Sequence, residues 1–326
     1  VGIVVIGRNE AQRLPACFDS LPASGVPAIY VDSGSADESV AVAESRGVCV
    51  HRLDPARPFS AARARNEGVE ALLARHPEVR YVQFLDGDCT LLPGWLAAAE
   101  AALDEDPARG AVLGHLQERR VHASAYNLLC ALEWRSRPGN LEDFGQLGGI
   151  SMMRVAVFRE LGGFRPQVIA GEDSELGVRM ALAGHRVAKL DHPMATHDAA
   201  MTRFSQWWRR AVRAGHAIGQ RADLNGRTAV RDCVRERRST VFWGIALPLA
   251  AVLGAMPTRG WSLLLLAAYP VLALRVARRR VAQGDRLGEA ALYALFIVIG
   301  KFANAVGLIR FAMNKLSRRY RIIEYK

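Results

Sequence analysis

The stretch FLDGDC, residues 84–89, ends an apolar run of Tyr81, Val82, Phe84 and Leu85 with two carboxylates one residue apart, Asp86 and Asp88. Two like charges this close repel, so their joint ionisation is cheapest with a cation between or beside them. Carboxylate oxygens are hard donors suited to Mg2+ or Mn2+, ions that share their coordination with phosphates and water. Asp-Gly-Asp is also a common surface turn. Its place after a buried strand, rather than the tripeptide itself, is what points to chemistry.

Polar residues recur at comparable places upstream. Arg8, Asn9 and Glu10 follow the apolar run VGIVVIG, and Asp32, Ser33, Ser35 and Asp37 follow AIYV. Each alone has a plain reading: Asp32 or Asp37 could cap the next helix, and Asn9 could be a turn residue. Three such clusters at successive strand ends favour a site. The elements that would place them alternate: strands at 1–6, 28–31, 48–53 and 81–88, with helices over about 10–21, 37–46 and 61–75. Strand and helix in alternation predict a parallel sheet covered on both faces, with ligands taken in the crevice at the carboxyl ends of the strands.

The ordered set VVIGRNE, VDSGSADES, ARARNEG, FLDGD, GGISMMRVAVFRELGGF and GEDSELGVRMALAGHRV resembles the family 2 glycosyltransferases, inverting enzymes of the GT-A fold, over about the first two-thirds of the chain. The resemblance implies an α/β, Rossmann-like GT-A domain over residues 1–226. It implies a nucleotide diphosphate sugar donor, UDP- or GDP-linked, and Mg2+ or Mn2+ as cofactor. Asp88 matches the metal-binding carboxylate, and Asp86 matches its partner toward the ribose or the metal. Asp32 matches the residue that reads base or ribose, with Asn9 and Glu10 lining the same pocket and Arg65 beside the nucleotide.

Asp173, with Glu172 before it in AGEDSEL, matches the carboxylate that takes the proton from the attacking hydroxyl; acidic residues at a helix start also stabilise its dipole. Gly148 and Gly149 match the acceptor-side wall. His197, after a short strand VAKL, is a candidate further metal ligand, with His192 a nearby competitor. Processive members carry Gln-x-x-Arg-Trp. Here Gln206 and Arg209 are followed by Arg210, which favours addition of a single sugar.

Half of the 326 residues are hydrophobic, yet the net charge is +11. The two properties are segregated. Beyond Thr240 lie long apolar runs between arginine clusters, so an α-helical membrane region is expected over 240–326. TVFWGIALPLAAVLGAM and WSLLLLAAYPVLALRVA are each near the lower limit for a span and are expected to form a helical hairpin, 240–277, its arginine-rich flanks on the cytoplasmic side. A segment at 287–314 is expected to be amphipathic or re-entrant, because a third crossing would place Lys301 near mid-bilayer at about 3 kcal/mol and leave the basic tail outside. A third span is the alternative. An interfacial helix over about 203–222, anchored by Trp207 and Trp208, competes with a plain basic helix packed on the domain.

The five scattered cysteines suit reduced thiols, the short run Val1 to Ile6 is not expected to act as a signal peptide, and no nucleic-acid module is expected. The expected activity is transfer of a sugar to a lipid-linked saccharide or polysaccharide acceptor, in cell-surface polysaccharide or glycolipid synthesis. The expected location is the cell inner membrane in contact with membrane lipid, with the catalytic domain cytoplasmic. Rival readings are a polyprenyl-phosphate glycosyltransferase, which needs no base, and a catalytically silent GT-A scaffold in an export complex.

Overall fold

The computed structural model describes residues 1–23 and 25–317. Contacts divide the chain into two compact units, the first holding residues 1–120 and 134–199 and the second holding 121–133 and 200–326. The basic tail over 318–326 lies outside the described residues.

The first unit is built on one sheet. Its strands are β1 (Gly2–Gly7), β2 (Ala28–Asp32), β3 (Cys49–Arg52), β4 (Tyr81–Asp86), β5 (Cys89–Leu91), β6 (Arg109–Glu118), β7 (Gly139–Asn140), β8 (Ser151–Arg154) and β9 (Arg186–His197). Their order is β3-β2-β1-β4-β8-β6-β9-β5, with β7 pairing with β9. The helices are α1 (Leu14–Asp19), α2 (Ser39–Ser45), α3 (Ala61–Arg75) and α4 (Trp95–Glu105), then, beyond α5 (Ala125–Glu133) of the second unit, α6 (Val155–Glu160) and α7 (Glu172–Leu182).

The four strands read from the alternation run parallel as expected, and the sheet as a whole is mixed. Strands β3, β2, β1 and β4 run parallel, but β8 lies antiparallel to both β4 and β6, and β5 antiparallel to β9. The alternation of strand and helix that signals parallel pairing stops after β4, where β5 follows across a two-residue turn. The strand expected at VAKL is also longer: β9 runs twelve residues and His197 is its last. The first helix is shorter than its apolar pattern, starting at Leu14 after a turn.

Fully apolar strands are buried on both faces, and Ile3, Val4, Val5, Phe84 and Leu85 are inaccessible. Burial of each such side chain stabilises by about 2 kcal/mol. Phe84, Phe158 and Phe164 form an aromatic cluster with centroids 5.2–5.6 Å apart. Trp95 is buried with its indole N–H donated to Gln83 Oε1 at 2.7 Å, which satisfies its one polar atom.

The second unit is helical. It comprises α5 (Ala125–Glu133), α8 (Phe204–Asn225), α9 (Val234–Val241), α10 (Leu247–Leu253), α11 (Ala268–Ala282) and α12 (Leu287–Ser317). A π-type turn at Phe242–Ala246 joins α9 to α10, and a 3-10 stretch, Trp261–Ala267, leads into α11. Among the described residues, two helical segments, Trp261–Ala282 and Leu287–Ser317, are long and apolar enough to cross a membrane. Over 287–314, where an amphipathic or re-entrant segment is expected, α12 is one unbroken helix of 31 residues.

Helices α8 and α12 lie side by side in parallel. Trp207 meets Phe296 at 4.7 Å, Gly215 meets the Asn304 backbone, Phe311 and Leu308 close on Gly219, and Asp223 pairs with Lys315. A Cβ on Gly307 would stand 2.0 Å from the Val212 carbonyl oxygen, so a residue without one is required there for the helices to touch. Trp207 is buried in this contact. Gln206 accepts from the Thr202 and Arg203 N–H groups at 2.9 and 3.0 Å and thereby caps α8.

Candidate active site

The carboxyl ends of β1, β2 and β4 finish level with one another. Gly7 is paired with Asp32 and Ile6 with Asp86, so Asp32 and Asp86 stand at the same edge of the sheet on either side of β1. Strand β8 starts opposite Phe84, and its antiparallel sense brings Gly148 and Gly149 to the end of β4.

Two loops line this edge and are stitched together. Asn9, at φ 56°, accepts from Ala36 N–H through Oδ1 at 2.8 Å and donates its own N–H to Ser35 Oγ at 2.9 Å. Glu10 N–H donates to Ser39 Oγ, and Ala11 N–H to Asp37 Oδ2. Burial works against the Asp37 charge, but hydrogen bonds from Ser39 and Ala11 outweigh it and hold its pKa below the usual value. Asp32 is buried and accepts from Gly34 and Ser35 N–H, both at 3.0 Å, and from the Tyr30 hydroxyl at 3.3 Å. It therefore shapes its own turn as well as standing at the strand end.

Arg65, on the sheet-facing side of α3, ties β4 to α7. It donates from Nη2 to Asp86 Oδ1 at 2.8 Å and from Nη1 to Glu172 Oε1 at 2.6 Å, while its guanidinium lies 5.6 Å from the Phe164 ring centroid. Burial disfavours its charge, yet Asp86, Glu172 and Asp173 together more than compensate and raise its pKa above the ordinary value. Asn66, the next residue, clamps the Phe164 backbone from both sides at 2.7 and 2.9 Å. The arginine expected beside a nucleotide is thus committed to two carboxylates.

Glu172 and Asp173 open α7 after Gly171, which adopts φ 73°. Asp173 is half-buried and accepts from Ser174 N–H at 2.6 Å, the kind of contact that favours an anion at a helix start. Glu175, fully buried, holds Arg165 and Arg179 at 2.9 Å and fixes the loop before the helix.

Asp88 follows β4 and is buried. Its Oδ2 lies 3.5 Å from His197 Nε2 and its Oδ1 3.3 Å from Cys89 Sγ. The three side chains offer ligand atoms within 4.8 Å of one another. Burial pushes the Cys89 thiol well above its usual pKa and so keeps it protonated. The Asp88 carboxylate is a hard donor of the kind Mg2+ and Mn2+ prefer, and His197 stands close enough to add a nitrogen donor to the same ion. His192 stands apart, against Trp95, with Nδ1 2.8 Å from the Pro193 carbonyl.

The sequence reading passed over several neighbours of this pair. Glu118 ends β6 and is inaccessible, with Oε2 3.6 Å from His197 Nδ1. Asp198 pairs with Arg120 at 3.3 Å and donates its N–H to the Asp88 carbonyl. Arg13 binds Glu10; burial opposes its charge, but Glu10, Asp88 and Asp198 raise its pKa. A charged residue closing an apolar strand was the available signal for Glu118, the same signal that marked Asp86.

Residues 2–162 match the family model of glycosyl transferase family 2, and residues 140–204 match a model described as the N-terminal domain of galactosyltransferase. The O-antigen chain rhamnosyltransferase RfbN of Salmonella typhimurium is 25% identical over 213 residues, 61% of this chain and 66% of its own length, just under two-thirds of that relative. Among solved structures, the mannosyltransferase PcManGT from Pyrobaculum calidifontis, in complex with GDP-Man and Mn2+, is similar with a TM-score of 0.57 at 20% identity. That likeness covers 98% of this chain and 88% of that one. S. aureus TarS, residues 1–349, gives 0.55 at 15% identity over 98% and 92%, and the same protein is known in complex with UDP. At such identities the likeness speaks for a shared fold.

Proposed function

The chain belongs to glycosyl transferase family 2 and has the GT-A fold, and from that premise we propose that it is an inverting, metal-dependent enzyme acting on a nucleotide diphosphate sugar. The observation that carries this reading is Arg65, which joins Asp86 at the end of β4 to Glu172 and so sets Asp173, the next residue, beside the crevice.

In this reading Asp32, with Asn9 and Glu10 in the stitched loops, receives the nucleoside, a GDP or UDP moiety. Mg2+ or Mn2+ on Asp88 and His197 would neutralise charge on the departing diphosphate. Asp173 accepts the proton of the acceptor hydroxyl as its oxygen attacks the anomeric carbon. The bond from that carbon to the diphosphate breaks on the opposite face, and the electron pair leaves with the nucleoside diphosphate. A base is needed because the acceptor is a neutral hydroxyl. Arg65 holds Asp86 and Glu172 and so keeps the base in place.

The acceptor is proposed to be a lipid-linked saccharide or a polysaccharide, in cell-surface polysaccharide synthesis. The relative that builds O-antigen supports this, as does the second unit, whose Leu253, Met256, Trp261 and Leu264 are exposed at one hairpin. Arginines flank that hairpin at Arg235, Arg237 and Arg238 and again at Arg278, Arg279 and Arg280, matching anionic headgroups of an inner membrane. The hairpin over 240–277, rather than α12, is proposed to enter the bilayer. Helix α8, which carries Arg209, Arg213 and Asp223, runs along α12 and would be drawn into hydrocarbon with it.

A panel of UDP-, GDP- and other nucleotide sugars, each with and without Mn2+, tests the reading by thermal melting. A ligand at about 100 times its Kd stabilises by about 2.7 kcal/mol. One nucleotide sugar is expected to raise Tm, and to do so more with the metal; a panel that leaves Tm unmoved contradicts the proposal.

A further inference from the structure

Three neighbouring strands present Glu118, His197 and Cys89 side by side, because Glu118 on β6 is in register with His197 on β9, and His197 with Cys89 on β5. The imidazole is thereby held between two acidic groups. Its Nε2 looks toward Asp88 Oδ2 at 3.5 Å, and its Nδ1 toward Glu118 Oε2 at 3.6 Å, just beyond hydrogen-bonding distance. Nδ1 is buried and has no hydrogen-bond partner.

Glu118 itself cannot swing. Its side chain is inaccessible, Oε1 accepts from Arg120 N–H at 3.1 Å, and Oε2 accepts from Ala199 N–H at 3.2 Å. Those two bonds leave it facing the ring. The Trp134 ring meets the imidazole edge-on at 4.9 Å and closes another side. A neutral imidazole carries one N–H, and the nitrogen that keeps it is chosen by what the other environment accepts. A carboxylate accepts and never donates, and the ring faces one on each side; with a metal on Asp88 taking the Nε2 lone pair, Glu118 is the acceptor left for the proton, on Nδ1.

We propose that Glu118 is a positioning residue for His197, fixing the tautomer in which Nε2 is a metal ligand. The proposal rests on the assignment of Asp88 and His197 as the metal-holding pair. The same two backbone bonds could alternatively make Glu118 a loop brace alone, and the two roles separate under Glu118→Gln. Glutamine keeps the size and one acceptor oxygen, but its amide donates. An amide N–H opposite Nδ1 makes that nitrogen the acceptor and moves the proton to Nε2.

Mn2+ binding to the full chain is measured by electron paramagnetic resonance for the wild type, Glu118→Gln, Glu118→Asp, His197→Ala and the double variant Glu118→Gln/His197→Ala. Loss of a carboxylate behind a ligating histidine weakens binding by about 10- to 100-fold. That loss is expected in Glu118→Gln, with partial recovery in Glu118→Asp and no additional loss in the double variant. Wild-type affinity in Glu118→Gln, or an equal loss when His197 is already alanine, overturns the proposal.

A diamagnetic readout separates the two assignments. In chain labelled with 15N-histidine and loaded with Mg2+, His197 is expected as the Nδ1–H tautomer, and Glu118→Gln is expected to lose it. An Nε2–H wild type under Mg2+ overturns the role of Glu118. A wild type that shows Nδ1–H but binds no Mn2+ overturns the metal assignment and with it the ligand role proposed for Nε2.

Discussion

A methyl group on Gly149 would lie 2.1 Å from Nη2 of Arg65, the nitrogen that holds Asp86. No Cβ is tolerated at that distance, and the neighbour that would have to move is a buried guanidinium bound at both ends rather than the free tip of a flexible chain. Gly149 is thus coupled through Arg65 to Glu172 and the start of α7. Gly149→Ala is expected to lower kcat/KM by about 100-fold, equivalent to about 2.7 kcal/mol, and to lower Tm as well, because displacing Arg65 leaves buried carboxylates uncompensated. Gly148, with open space around it, supplies the control for the clash: Gly148→Ala is expected to leave Tm near the wild-type value.

The second unit contains a pH-dependent element. His216 on α8 is inaccessible, 3.2 Å from Asn314 Nδ2 and edge-on to Phe311, and burial lowers its pKa from 6.5 to about 4. The unfolded chain therefore binds this proton first. The stability that follows from keeping His216 neutral is complete above pH 6.5 and is lost as pH falls toward 4, by up to about 3 kcal/mol. Urea unfolding between pH 7 and pH 4 is expected to show that slope for the wild type and a shallower one for His216→Met.

Membrane contact should be confined to the hairpin. On a background with the half-exposed Cys49 and Cys233 replaced by serine, Ile309→Cys and Met313→Cys on the exposed face of α12 are expected to react with a water-soluble maleimide. Leu253→Cys and Leu264→Cys are expected to resist it until detergent is added. Protection of the α12 positions by lipid would instead make that helix a span, drawing Arg209 and Arg213 into hydrocarbon at about 3 kcal/mol each.

How much was legible in the sequence depended on whether burial or pairing decided the outcome. Strand β1, strand β4 and helix α3 were readable because apolar runs and helical spacing report burial directly, and the carboxylates at the ends of β2 and β4 stood out against those runs. The antiparallel β8 was not, since a strand's direction depends on what it crosses to reach its partner, and nothing in ISMM encodes that. Arg65 was placed beside the nucleotide by resemblance. Its two carboxylate partners lie 21 and 107 residues away, a separation that no local pattern reveals. The length of α12 was hidden by Lys301, which the structure seats against Ser239 Oγ at 2.9 Å; a single charge reads as a break only until its partner is known.

The central claim is that Asp173 takes the acceptor's proton in a pocket whose donor side is built by other residues. It is tested most directly by single-turnover sugar transfer, together with calorimetric nucleotide binding, in Asp173→Asn. The account predicts transfer reduced by at least about 1,000-fold with nucleotide affinity within a few-fold of wild type. Turnover near the wild-type level with binding intact would contradict it and would point to an acceptor already ionised, such as a polyprenyl phosphate.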